Sequence, residues 1–180
     1  MNTKPNDQTS NAYAAPVHSD SGDSLPRTTT ANCGGRWIAA GAICGLLAVG
    51  FGAFGAHGLE DHFAKLAETD PALAFKRLGN WRTAAQYHMH HSLAVVAAGL
   101  LMQVRRSRIA GFAAACFTIG ILIFSGCLYA LVLTEVRVLG AVVPLGGLSF
   151  MAGWILLAIA ALRTGQAHQH AGQATGGSSK

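Results

Sequence analysis

The chain has 180 residues, of which 51% are apolar and only 12% are charged; its mean hydropathy is +0.36 and its formal net charge is +5. A soluble domain usually carries about twice that charged fraction, so a soluble fold, a disordered protein and a disulfide scaffold are all disfavoured. The basic residues are scattered over different segments, which gives little support to nucleic-acid binding.

Residues 1–35 form a polar segment rich in Asn, Ser, Thr, Asp and Pro. Burial of its few apolar side chains could not offset the entropy lost on ordering, so we expect a disordered tail. It does not resemble a secretory signal, because the first apolar run begins only at residue 37. Residues 164–180 are interpreted in the same way, as a second disordered tail that contains His168 and His170.

Four apolar segments follow, at residues 37–56, 84–104, 109–133 and 138–162. At about 1.5 Å of rise per residue, each is long enough to cross the roughly 30 Å hydrocarbon core of a bilayer. The second segment gives the weakest signal because it opens with a run of polar side chains. We predict an all-α fold, an integral membrane four-helix bundle over residues 36–163, with disordered N- and C-terminal tails.

The longest loop, residues 58–82, has a helical pattern of its own. Leu59, Phe63 and Leu66 fall on one helical face, which predicts a short helix at the outer membrane interface. Asp70 followed by Pro71 predicts a second helix start, because the carboxylate caps a helix and proline suits its first position.

Positive charge indicates the orientation of the spans. The short loop after the second span contains Arg105, Arg106 and Arg108, and short basic loops remain in the cytoplasm. We therefore predict that both termini are cytoplasmic. Trp37 and Trp81 lie near span ends, where aromatic side chains usually anchor a helix at the interface.

Small residues predict where the helices pack, because they allow transmembrane helices to approach closely. The predicted packing residues are Gly41, Gly45, Ala48, Gly52 and Ala56 on the first span and Gly146, Gly147 and Gly153 on the fourth. Their partner helices could belong to the same chain or to another one. The expected partners are therefore the lipid bilayer and either other membrane proteins or further copies of this chain.

Polar side chains inside a bilayer are costly and are therefore functional candidates. The predicted topology brings several of them to the outer half of the bundle, together with a proline that should kink the fourth span. The resulting candidate polar pocket contains His57, Tyr87, His88, His91, Ser125, Tyr129 and Pro144.

Three interpretations of this pocket stay open. Histidines ligate zinc, copper or haem iron, but the spacing matches no metal motif, and His57 and His91 are only weak candidates. Histidines also relay protons or respond to pH near neutrality. The third interpretation is structural, in which His and Tyr hydrogen-bond across helices.

The motifs of common enzymes are missing from the sequence, which contains no hydrolytic triad, phosphate loop or paired-carboxylate site. We expect a non-enzymatic membrane protein that handles a small solute or protons and holds no cofactor or metal. The alternatives are a redox subunit that binds haem, metal or quinone, and a structural or assembly partner of another membrane protein.

Four segments carry a resemblance to a known family. They read GAFGAHGL at 52–59, YHMHHSLA at 87–94, FSGCLY at 124–129, and PLGG at 144–147 followed by GW at 153–154. In this order they resemble the motifs of the YgdD/YwdK-like family of small bacterial inner-membrane proteins of unknown function, which also looks related to a small eukaryotic transmembrane protein. The resemblance covers about residues 37–163.

The resemblance implies a multi-pass protein of the bacterial inner (plasma) membrane and assigns no reaction to it. His88 and His90 stand where the family usually has Gln and Tyr, which weakens a metal-ligand role for His88. The residues that the resemblance leaves as the first to test are His57, Tyr87, His91, Ser125 and Tyr129.

Overall fold

The structure is a computed structural model that describes residue 1 and residues 31–175, with side chains described for residues 1 and 34–163. Within this part the chain is all-helical and forms no strand, which confirms the predicted class. The elements are α1 (Ala31–Ala53), a π-helical turn (Phe54–Gly58), α2 (Glu60–Thr69), α3 (Pro71–Arg105), α4 (Arg108–Gly120), a second π-helical turn (Ile121–Ser125), α5 (Gly126–Thr134) and α6 (Val138–Thr175).

The predicted tails lie partly outside the described residues, which exclude residues 2–30 and 176–180. Residues 31–35 belong to α1, and α6 continues past Arg163 to Thr175. The helical backbone over residues 164–175 therefore differs from the irregular tail that we expected. Its Ala and Gln residues have high helix propensity, which favours continuation of α6.

Three segments of the described chain are long and apolar enough to cross a membrane: Gly34–Gly58, Arg108–Thr134 and Val138–Arg163. They correspond to the first, third and fourth predicted spans. The second predicted span lies within α3, whose 35 residues include Gln86 and three histidines and are less apolar. Membrane crossing by α3 therefore stays a prediction.

The helix ends follow from local sequence. Asp70 Oδ1 accepts a hydrogen bond from the Leu73 N–H at 2.9 Å, and Pro71 occupies the first position of α3, as predicted. Ser107 caps α4 through Ala110 N–H at 3.3 Å. Helix α4, the second π-helical turn and α5 follow one another without a break and form one long helix. The turns before and after this long helix are short, so it runs antiparallel to both α3 and α6.

Helix α3 is the centre of the fold. It packs against α1 on one side and against α4 and α5 on the other, and α6 packs mainly against α4. In the described residues α1 and α6 do not contact each other. The α1–α3 contact runs the length of α1, because Gly34 lies against Gln103 at one end and Gly55 lies against Trp81 at the other.

The predicted packing residues have two kinds of surroundings. Those in tight contact or buried within this chain are Gly41, Ala48, Gly146 and Gly153. A Cβ on Gly41, for example, would lie 2.7 Å from Val96 Cγ2 and 2.8 Å from the Ser92 carbonyl oxygen of α3. The remaining members are more open: Gly45, Gly52, Ala56 and Gly147.

Two buried clusters hold the helices together. The first joins α3, α4 and α6 around Val95, Phe117 and Phe150. The second joins α2, α3 and α5 around Trp81. It buries Leu59 and Phe63 of the apolar face predicted for the loop helix, which is α2, whereas Leu66, the third residue of that face, is half-buried. Trp81 does not anchor the helix by contact with lipid as expected, because its side chain is only 1% exposed and packs within the protein; its position at the interface stays a prediction.

Candidate functional site

The seven residues of the predicted pocket do not meet at one place. His57 is exposed on the first π-helical turn, and Pro144 is exposed within α6. The other five divide between two sides of α3. Tyr87 and His91 face α4 and α6, whereas His88 contacts the rings of α1 and α5.

The first group is a set of packed rings around His91, called here the His91 cluster: Tyr87, His91, Phe117, Phe150 and Trp154. The imidazole of His91 stacks on the Phe150 ring with centroids 3.4 Å apart and planes 9° apart. Trp154 Nε1–H donates to His91 Nε2 at 3.3 Å, and His91 Nδ1 lies 2.8 Å from the Tyr87 carbonyl oxygen.

These two hydrogen bonds fix the chemistry of His91. A ring nitrogen that accepts from an indole N–H carries no proton, so the proton is assigned to Nδ1, which donates to the Tyr87 carbonyl. Both nitrogens of the neutral imidazole are therefore engaged. No lone pair is left for a metal ion, and the cluster joins α3 to α6 as a structural contact.

The second group has buried polar atoms without partners and is called here the unpaired group: His88, Ser125 and Tyr129. Their exposed fractions are 5%, 0% and 6%. His88 Nδ1, Ser125 Oγ and Tyr129 OH have no hydrogen-bond partner among the described residues. Ser125 ends the second π-helical turn one turn before Tyr129, whose ring centroid is 6.2 Å from that of His88.

Aromatic rings lie beside two members of the unpaired group, His88 and Tyr129. The Phe51 ring stacks on Tyr129 at 4.6 Å and lies 6.2 Å from His88, and the Trp81 ring lies 4.8 Å from Tyr129. Trp81 Nε1–H donates to the Phe51 carbonyl at 2.8 Å, so this indole is not free to serve His88 or Tyr129. A Cβ on Gly55 would overlap the indole, which explains why glycine stands there.

A cavity of about 480 Å³ lies beside Trp81, between α1, α2 and α3. Glu60, Arg82 and Gln86 supply its polar lining. Trp81 lines this cavity and also contacts the ring of Tyr129, so one indole borders both the cavity and a member of the unpaired group.

The metal hypothesis gains no support from these positions. Within residues 34–163 no group of three or more His, Cys, Asp or Glu side chains could hold a metal ion. Of the two weak candidates, His57 is exposed and His91 uses both nitrogens within the protein.

Sequence reasoning missed the rings that decide these environments: Phe51, Trp81, Phe150 and Trp154. One signal was present, because an indole N–H in the middle of an apolar segment needs an acceptor, which Trp154 finds in His91. The phenylalanines carry no such signal, since they differ in no way from ordinary lipid-facing side chains.

Comparison with known proteins identifies the family. A family model described as a protein of unknown function, DUF423, matches residues 51–147. A UPF0382 membrane protein of Staphylococcus haemolyticus is 39% identical over 127 residues, which cover 71% of this chain and 95% of the relative. The UPF0382 membrane protein YwdK of Bacillus subtilis is 42% identical over 129 residues, which cover 71% of this chain and 96% of YwdK.

No solved structure matches the chain. The four sequence motifs begin within the matched region, so the resemblance noted from the sequence is confirmed. The chain belongs to the DUF423 family of membrane proteins of unknown function.

Proposed function

We propose that the protein is a non-enzymatic, multi-pass inner-membrane protein that binds a small uncharged polar molecule at the unpaired group. The observation that carries the proposal is that His88 Nδ1, Ser125 Oγ and Tyr129 OH are all buried without hydrogen-bond partners. An unmade hydrogen bond to a buried polar group costs about 1–3 kcal/mol. Three such atoms, carried by α3 and by the second π-helical turn and α5 that pack against it, favour a ligand that satisfies them when it is bound.

The surroundings favour an uncharged ligand. Phe51 and Trp81, which contact Tyr129, offer ring faces and no formal charge. A charged ligand would lose its hydration in this environment without gaining a counter-charge. A hydroxyl or amide compound could donate to the imidazole and bond to the two hydroxyls.

Four spans fit this proposal better than three. Helix α3 lies antiparallel along the whole of α1, from Gln103 beside Gly34 to Trp81 beside Gly55. If α1 crosses the membrane, α3 crosses it with α1. The low hydropathy of α3 is compatible with this, because His88, His91 and Ser92 are at most 6% exposed.

With both termini in the cytoplasm, the unpaired group lies in the outer half of the bundle. In a cysteine-free background, a membrane-impermeant thiol reagent should label a cysteine introduced in residues 60–80 from outside and should not reach one at Ser107. The opposite labelling pattern would show that the orientation is the reverse of the one proposed.

The stability of two variants tests whether the group is free to bind a ligand. In washed, detergent-solubilised protein, Tyr129→Phe and Ser125→Ala should leave the free energy of unfolding unchanged or raise it, because each removes an unpaired hydroxyl. The matched control is Ser149→Ala, since Ser149 Oγ donates to the Cys116 carbonyl at 2.8 Å. The control should lose about 1 kcal/mol.

If Tyr129→Phe and Ser125→Ala lose as much stability as the control, their hydroxyls have partners within the protein and the proposal fails. The second arm is an experimental density map of protein prepared directly from membranes. A solute within about 3.2 Å of at least two of the three atoms supports the proposal. If the density map shows only water or no density beside these atoms, the unpaired group has a structural role and the proposal is overturned.

A further inference from the structure

A second cleft, of about 780 Å³, lies between the first turns of α3 and the turn that joins α5 to α6. Its rim carries Lys76, Arg77, Asn80, Glu135 and Arg137. Its inner wall is apolar and is formed mainly by Leu128, Leu131, Val132 and Val143. The cleft therefore has one charged end and one apolar end.

The charge of the rim is positive. Arg77 Nη1 lies 2.7 Å from Glu135 Oε1, and this pair fixes the arginine, whose side chain is 13% exposed. The hydrogen bond from Arg77 holds the pKa of the exposed Glu135 carboxyl below its ordinary value, so the carboxylate stays ionised near neutral pH. Lys76 and Arg137 have no acidic partner among the described residues, which leaves two uncompensated cations.

The charged rim of the cleft lies at the level of the lipid headgroups. Glu135 and Arg137 lie between the candidate spans Arg108–Thr134 and Val138–Arg163, so the rim is at headgroup level on whichever side of the membrane it lies. The apolar wall begins where those spans enter the hydrocarbon. A phosphate at the rim could accept hydrogen bonds from Lys76, Asn80 and Arg137 while an acyl chain follows the wall.

We infer that this cleft binds one anionic phospholipid, with its phosphate at Lys76 and Arg137 and an acyl chain against Leu128 and Val143. A zwitterionic lipid fits less well, because its ammonium group would approach the same two cations. The inference is independent of the solute proposed above, since the two sites share no residue.

Native mass spectrometry of the detergent-solubilised full chain tests the inference with phosphatidylglycerol and phosphatidylcholine added in equal amounts. The wild type should retain phosphatidylglycerol preferentially. The double variant Lys76→Gln/Arg137→Gln should reduce that retention by about tenfold or more, because each cation near a lipid surface contributes about a fivefold affinity change. The matched control is Arg105→Gln, at the other end of α3, which should retain the preference.

Two further measurements separate loss of lipid binding from loss of folding and from binding of phosphate alone. The charge-preserving variant Lys76→Arg/Arg137→Lys should keep most of the preference, which separates loss of charge from loss of folding. Excess inorganic phosphate should not displace the lipid, because it lacks the acyl chain. Equal retention of both lipids, equal loss in Arg105→Gln, or full displacement by phosphate would each overturn the inference.

Discussion

His88 and His91 lie on the same helix and are almost equally buried, at 5% and 6% exposure, yet their surroundings are opposite. On the α6 side, His91 receives the Trp154 indole N–H and contacts the Tyr87 carbonyl. On the α1 and α5 side, His88 Nδ1 has no partner among the described residues. Burial alone therefore does not separate a structural histidine from a candidate binding residue, whereas hydrogen-bond partners do.

The difference arises from what the neighbouring helices offer. The rings of Phe51 and Tyr129 lie beside His88, and the nearby Trp81 indole is already bonded to the Phe51 carbonyl. Helix α6 instead places an indole donor directly at His91. The His91 side therefore supplies hydrogen bonds to its imidazole, whereas the His88 side leaves a buried nitrogen without a partner, and this is where we propose that a ligand binds.

The largest effect is expected from Gly55→Ala, which should collapse the enclosure on the His88 side. The new Cβ would overlap the Trp81 indole, so the ring must move and lose its bond to the Phe51 carbonyl. Overpacking of this kind costs about 1–3 kcal/mol, and the lost hydrogen bond adds about 1 kcal/mol. Unfolding in mixed detergent micelles and Trp fluorescence measure the effect.

The matched control is Gly52→Ala, one turn earlier on α1, where a Cβ would meet no atom within 4 Å. This variant should keep wild-type stability and fluorescence. Equal stability losses in the two glycine variants would show that the contact with Trp81 is not what requires glycine at residue 55.

A direct comparison of the two histidines is expected to give an intermediate effect. His91→Phe keeps a ring against Phe150 but removes both hydrogen bonds of the imidazole, so we expect a loss of about 1–2 kcal/mol in the free energy of unfolding. His88→Phe removes an unpaired nitrogen, so in the washed protein it should cost less stability than His91→Phe does. The reverse order of stabilities would contradict the assigned roles.

Much of the fold was predictable because it depends on local physics. Long runs without charge identified three of the segments able to cross a membrane, and Asp70 with Pro71 marked the start of α3. The helix spacing of Leu59 and Phe63 identified α2 and its buried face. Each of these signals is contained in a few neighbouring residues.

The site was less predictable because it depends on how the helices are rotated. His88 and His91 differ by about 60° around the helix axis, which is enough to face different neighbours. A π-helical turn at Phe54–Gly58 changes the phase of α1 before His57, and this residue becomes exposed. The proline at residue 144 predicted a perturbed helix, but it could not predict that Pro144 would be exposed on α6 rather than face the pocket.

Among the variants that remove a hydrogen bond, the smallest effect is expected from Trp154→Phe, which should make His91 resemble His88. The change keeps an aromatic ring but leaves His91 Nε2 without its donor. Because Trp154 is 50% exposed, we expect only about 0.5–1 kcal/mol of lost stability.

A double-mutant cycle between Trp154→Phe and His91→Phe isolates this bond, and the two changes should couple by a similar amount. Trp37→Phe is the control, because Trp37 packs against the same core cluster and the described structure gives it no hydrogen bond to His91. Its cycle with His91→Phe should show no coupling. Absence of coupling for Trp154 as well would mean that the indole hydrogen bond does not stabilise His91, and the contrast between the two sides of α3 would then rest on ring stacking and the Tyr87 carbonyl bond.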